Sequence, residues 1–212
     1  LVPDKTNQIF NRKGEVVWYD YHSGEPNLGN SQTCQMYSMT DEENFIFLEC
    51  HEITVRDLNS NILDYVDLNG TPYDTLIFHH DAIINDAGNF VVIAAGAREL
   101  PSGDSTLVFA EENLLEIAPD GEVIWSWNSY DYFDPTGATN QNGFLFSTFG
   151  ASSINWLHAN AVMQENDGHY IVSLKELNQL VKINSSTGAI MWKLGGDDAD
   201  ISFFPQDQFG DQ

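Results

Sequence analysis

The feature that most constrains the fold is a short pattern that returns four times, in which an apolar strand meets a polar turn and an aromatic residue follows the turn residue by four positions. The copies are IFNRKGEVVW ending at Trp18, VRDLNSNILDY ending at Tyr65, EIAPDGEVIW ending at Trp125 and KINSSTGAIMW ending at Trp192. Each has the pattern of a β-hairpin, with its turn centred on Gly14, Asn61, Gly121 or Gly188, residue types for which positive φ costs little. These turn positions recur at intervals of 47, 60 and 67 residues.

A second kind of hairpin alternates with the first, as CQMYSMTDEENFIFLEC, HHDAIINDAGNFVVIAAG and HANAVMQENDGHYIVSLK. Two hairpins per repeat make four strands, and four-stranded sheets repeating every ~40 to 60 residues are the mark of β-propeller blades. The expectation is therefore an all-β chain of antiparallel four-stranded blades, about four of them, forming one domain over residues 1–212. A two-sheet sandwich is the rival, but it gives no reason for an aromatic to return at one place in each repeat. One weak helix-like segment lies near Ala110 to Leu115. Residues 20–33, 66–78 and 128–155 are too long and polar for tight turns and read as inserted loops, which often carry function.

Hydrophobic residues make up 42% of the chain, enough for a folded core. The charge is lopsided: 32 Asp and Glu against 8 Lys and Arg give a net −24. This excludes a nucleic-acid partner, which needs clustered cations, and disfavours an anionic membrane surface. The acids are scattered among turns, as on a solvated acidic surface, with calcium capture or a cationic partner as the functional alternative. No apolar run reaches the ~18 residues of a membrane helix, and the amino terminus LVPDKTNQ lacks a signal segment. Cys34 and Cys50 stand equidistant from Glu42, so a simple hairpin would face them across the strands; a disulfide and two unpaired thiols both remain open. The sequons at Asn69 and Asn184 are compatible with export.

The second class of hairpin opens with a shared element, His79-His80-Asp81-Ala82-Ile83 in one copy and His158-Ala159-Asn160-Ala161-Val162 in another. On an innermost strand of each blade, both histidines would face a central channel at similar depth, where imidazoles and amides converge on one anion. His22, His51 and His169 fall outside this element and read as surface or packing residues. A metal site of His79, Asp81 and His158 suits zinc or iron chemically, but no spacing demands one. Asp57-x-Asn59-x-Asn61 imitates a calcium loop, yet Ile62 and Leu68 stand where that loop needs glycine and a carboxylate. It reads as a hairpin turn.

The segment from Trp156 to Gly196, with its H-x-N element, its strand ending in serine and its TGAIMWKLGG hairpin, resembles the arylsulfotransferases, as does HHDAIINDAGNFVVIA upstream. The two segments cover a little over a quarter of the chain, and residues 1–70 match only in rhythm. The resemblance implies a six-bladed propeller, secreted or periplasmic, that moves a sulfuryl group from an aryl sulfate to a phenol through a sulfated histidine, with no cofactor or nucleotide donor. It implies that His79 or His80, His158 and Asn160 bind the sulfate. Lys175 stands where the family usually has arginine, keeping the charge but losing the bidentate fork. The nucleophilic histidine belongs to a further QHDA-type element, expected beyond ISFFPQDQFGDQ. With about four blades against six, the expectation is a propeller incomplete at its C-terminal end, completed by a missing segment or a second chain and inactive by itself. A non-catalytic binding or structural propeller is the alternative from another class. A quinone-dependent propeller dehydrogenase ranks last, because no adjacent cysteines or calcium ligands appear.

Overall fold

The computed structural model describes residues 6–21, 35–40, 42–102, 105–135, 145–146 and 153–201. A hairpin of β1 (Thr6–Phe10) and β2 (Val16–Tyr21) comes first. It is followed by an antiparallel four-strand meander of β3 (Gln35–Met39), β4 (Phe45–Glu49), β5 (Glu52–Arg56) and β6 (Ile62–Asp67). A second meander contains β7 (Ile77–Ile84), β8 (Phe90–Ser102), β9 (Ser105–Ile117) and β10 (Val123–Asn128). Two short strands, β11 (Leu145–Phe146) and β12 (Ser153–Ile154), widen this sheet to six strands, with β12 running parallel to β9. The last meander is β13 (Ala159–Gln164), β14 (Tyr170–Leu174), β15 (Gln179–Ile183) and β16 (Ile190–Leu194). The all-β, four-strand expectation holds, although the first repeat is described only as a hairpin.

Trp18, Tyr65, Trp125 and Trp192 all sit on the last strand of their repeat. Their surroundings differ. The Trp18 indole N–H donates to the Leu58 carbonyl at 2.7 Å, tying the first hairpin to the turn of the next repeat, whereas Tyr65 is 49% exposed. In the middle sheet the equivalent tie comes from Trp127, which donates to the Gly188 carbonyl at 3.0 Å in the following repeat. Gly188 has φ +76°, and a Cβ there would stand 2.5 Å from the Tyr132 hydroxyl, so this turn requires glycine.

The sheets stack face to face. On β8, Phe90, Val92 and Ala94 pack against Ile46, Leu48, Ile53, Val55 and Val66 of the preceding sheet. The alternate residues Val91 and Ile93 pack with Val162, Tyr170, Val172 and Val181 of the following sheet. Side chains alternate across a strand, so a strand buried on both faces reads as the continuous apolar run FVVIAA. Each such buried side chain contributes about 1.5–3 kcal/mol. A middle sheet covered on both faces is an arrangement that the two-sheet sandwich does not provide.

Four expectations need correction. Ala110 to Leu115 is strand, within β9, because both faces of that strand are buried and the apparent helical period comes from acids spaced among apolar residues. The described residues contain no α-helix, and 3-10 turns lie at Ser129–Asp131 and Lys175–Leu177. The 66–78 loop shrinks to the turns between Asp67 and Ile77. The 128–155 insertion supplies β11 and β12, its residues 136–144 and 147–152 lying outside the described set. Across the β3–β4 hairpin, a bulge between Met36 and Ser38 shifts the register by one, so Gln35 faces Leu48. Cys50 falls in the turn after β4 with φ +45°. Cys34, His22 and residues 202–212 lie outside the described residues.

Candidate active site at the adjoining edges of two sheets

The first strands of neighbouring sheets, β7 and β13, lie side by side. Both are bulged where the histidines fall. In β7, Phe78 faces Ala94 and Ala82 faces Val92, so His79, His80 and Asp81 together oppose the single residue Ile93. In β13, Ala159 faces Leu174 and Ala161 faces Ser173, leaving Asn160 as the extra residue. Bulges of this kind re-aim side chains that a regular strand would send to alternate faces. His80 (φ +60°) and His158 (φ +55°) both occupy the left-handed region, which costs a non-glycine residue energy and clusters at functional sites.

The three imidazoles form one row. His79 Nε2 lies 3.1 Å from the Glu112 carboxylate, and its Nδ1 lies 2.7 Å from His80 Nδ1. His80 Nε2 lies 3.3 Å from His158 Nε2, and His158 Nδ1 accepts from Asn155 Nδ2 at 2.6 Å. Successive rings meet edge to face at centroid separations of 4.9 Å. Glu112 is 3% exposed, while His80 keeps its outer surface open, so the row runs from a buried carboxylate to an accessible imidazole. Crowding strips water from the His80 ring, and this, with the charges that His79 and His158 would bear, pushes its pKa down to about 4. Burial first, then the Lys175 ammonium, lowers His158 as well. Both rings are therefore held neutral near pH 7, with lone pairs available for nucleophilic or base chemistry.

The other expected residues are placed differently. Lys175, in the turn after β14, reaches the row through its charge; its half-exposed ammonium pairs with Glu176 at 3.1 Å. The Lys175 and Glu176 backbone N–H groups donate to the carbonyls of His158 and Leu157 at 3.1 and 3.0 Å, fixing the segment that presents His158. Asn160 is not hydrogen-bonded to the imidazoles; its Oδ1 is buried without a partner. Asp81 is no metal ligand here, since its carboxylate accepts from the Val162 backbone N–H at 3.0 Å and ties β7 to β13. Among the described residues no set of three His, Cys, Asp or Glu side chains is arranged to hold a metal ion. His169 packs away from the row against Ser185, and Asp57 closes its hairpin turn by accepting from the Asn59 and Asn61 backbone N–H groups.

Glu112 and Asn155 escape a reading of the sequence. Asn155 stands three residues before His158, a local signal in hindsight. Glu112 is 33 residues from His79, and only its place in a strand of otherwise inward-facing residues marks it. The same row of β9 carries Glu116, whose carboxylate accepts from Tyr170 Oη at 2.9 Å and from Asn85 Nδ2 at 2.7 Å.

The adjoining first strands of two four-strand repeats thus bring three imidazoles together within reach of a lysine charge. The sequence model of the Arylsulfotransferase (ASST) family matches residues 3–204, and the chain belongs to that family. No curated protein matches it. Among solved structures it is similar to a protein of unknown function from Bacteroides caccae, with 15% identity over 94% of this chain and a TM-score of 0.49. The match covers 58% of that protein's chain.

Proposed function

We propose that this chain is the sulfate-binding part of a nucleotide-independent sulfotransferase, a secreted or periplasmic β-propeller in which its sheets are successive blades. The reaction moves a sulfuryl group from an aryl sulfate to a phenol by way of a histidine, supplied by a further repeat of the whole protein. The observation that carries the reading is the row of His79, His80 and His158, which ends at the accessible His80–His158 pair, with Lys175 contributing positive charge. Imidazole N–H groups stabilise the equatorial oxygens of a transferring sulfuryl group, and a neutral imidazole is a competent nucleophile. Lysine in place of arginine keeps the charge without bidentate geometry, so weaker donor binding is part of the reading.

The test is transfer from an aryl sulfate to a phenol by the full-length protein, followed as release of the donor phenol. His158→Ala lowers kcat/KM by about 100-fold or more, the cost of losing one transition-state donor. Activity that survives both His158→Ala and His80→Ala ends this mechanism. A second reading, a non-catalytic binding module, draws on the pairing of Lys175 with Glu176; it requires that aryl sulfates bind without turnover.

A further inference from the structure

The two ends of the imidazole row determine where its protons sit. Glu112, as a carboxylate, only accepts hydrogen bonds, and the Asn155 Nδ2 amide only donates. His79 Nε2 must then carry the proton that Glu112 accepts at 3.1 Å, leaving His79 Nδ1 as a lone pair. That lone pair faces His80 Nδ1 at 2.7 Å, so His80 carries its proton on Nδ1 and presents Nε2 bare. His80 Nε2 faces His158 Nε2 at 3.3 Å, which makes His158 the Nε2–H form. Its Nδ1 lone pair is then the acceptor that Asn155 Nδ2 requires at 2.6 Å. With one proton on each ring, each of these four contacts has one donor and one acceptor.

We infer that Glu112 is a positioning residue that sets the tautomers of His79, His80 and His158, so that the accessible end of the row offers a bare nitrogen on His80 beside an N–H on His158. The His80–His158 contact is the longest of the four and the one nearest solvent, so it is the contact an incoming ligand opens. A sulfuryl oxygen takes the His158 N–H, and a phenol hydroxyl gives its proton to His80 Nε2. As that O–H bond breaks, the phenol oxygen bonds to sulfur, the carrier histidine of the further repeat leaves with the electron pair of its S–N bond, the His80 Nδ1 proton passes to His79 Nδ1, and the resulting imidazolium rests against the Glu112 carboxylate. One proton moves inward and no electrons are exchanged. The choice of phenol and sulfuryl group rests on the sulfotransferase reading; the tautomer assignment does not.

An isolated neutral histidine in water prefers the Nε2–H form, so His80 protonated on Nδ1 is diagnostic. The experiment is nitrogen-15 NMR of the histidine-labelled full chain near pH 7, with His80 assigned through His80→Gln. Wild type is expected to show His80 as Nδ1–H, Glu112→Leu to lose that signature, and Glu112→Gln, which keeps an acceptor oxygen, to retain it. His80 found as Nε2–H in wild type, or Nδ1–H persisting in Glu112→Leu, overturns the assignment. If Glu112→Leu does not fold, the wild-type pattern decides alone. In the transfer assay Glu112→Gln is expected to lower kcat by about 10- to 100-fold with KM nearly unchanged, the range for residues that orient a functional histidine. Its pH–rate profile shifts as well, because the charge facing the row from β9 is gone while Lys175 and Glu176 remain on the other side. An unchanged kcat profile in Glu112→Gln overturns the relay. A wild-type protein that transfers no sulfuryl group refutes the functional reading and leaves the NMR result to decide the tautomers.

Discussion

The two faces of the middle sheet are made by the same strands yet differ in kind. Toward the β3–β6 sheet it presents Phe78, Ala82, Phe90, Val92, Ala94, Leu115 and Ile117, a dry apolar layer. Toward the β13–β16 sheet it presents Val91, Ile93 and Leu114, but also Asp81, Asn85, Glu112 and Glu116, each hydrogen-bonded to a named partner. Apolar packing is nondirectional and tolerates small displacements, whereas buried polar groups stabilise only in one register and cost free energy in every other. The dry face therefore supplies most of the stability. The wet face fixes how β7 lies against β13, and that alignment assembles the histidine row.

The largest expected effect breaks the dry face. Phe90→Ala removes a ring that is 1% exposed and should cost about 3–5 kcal/mol, read from urea unfolding. The His80 tautomer and titration should be unchanged in the fraction that remains folded. A change in both together would show that the two faces are not separable.

Tyr170→Phe probes the wet face without altering apolar area. The Glu116 carboxylate loses its 2.9 Å donor and Asn85 Nδ2 loses its 3.1 Å acceptor, at an expected cost of about 1–3 kcal/mol. Unlike Phe90→Ala, this change should disturb the row, visible as broadened or shifted His158 resonances. A stability loss near zero would mean that Glu116 finds a full replacement partner and that the seam does not fix the register.

The smallest effect is in pH dependence. An unfolded histidine takes its proton near pH ~6.5, while folded His80 takes it near 4. Between those values the unfolded state binds more protons, so this group's contribution to stability falls as pH drops from about 6.5 toward 4. His80→Gln should flatten that part of the urea-midpoint curve, and only modestly, because the ring is partly exposed and screened. Equal acid sensitivity in variant and wild type would place the perturbation elsewhere.

Hairpins, four-strand repeats and the histidine-bearing strands are legible in the sequence because they follow from local chemistry. Gly14, Gly121 and Gly188 allow the positive φ of each turn, and alternation of apolar and polar residues assigns faces to strands. By motif His79 stands at the place of His158, with His80 beside it, and in the structure the His80 ring lies against His158. Counted from the turn glycines Gly88 and Gly168, β7 carries two extra residues where β13 carries one. The ring that meets His158 is that of His80, and a bulge leaves no reliable trace in one sequence because it depends on the facing strand. The far halves of β8 and β9, from Ala97 to Leu107, are largely exposed and carry no apolar alternation to mark them as strand.

The sequence by itself determined the repeat, the strand that carries each histidine and the family signature, all set by contacts a few residues apart along the chain. Tertiary structure alone decided that Glu112 ends the histidine row, that Asp81 holds β7 to β13, and that Asn160 stands apart from the imidazoles. Those outcomes depend on how strands distant in the chain align within the middle sheet and across its interface with the next. That alignment is a balance of burial and polar pairing between residues 33 to 81 positions apart, which no local pattern encodes.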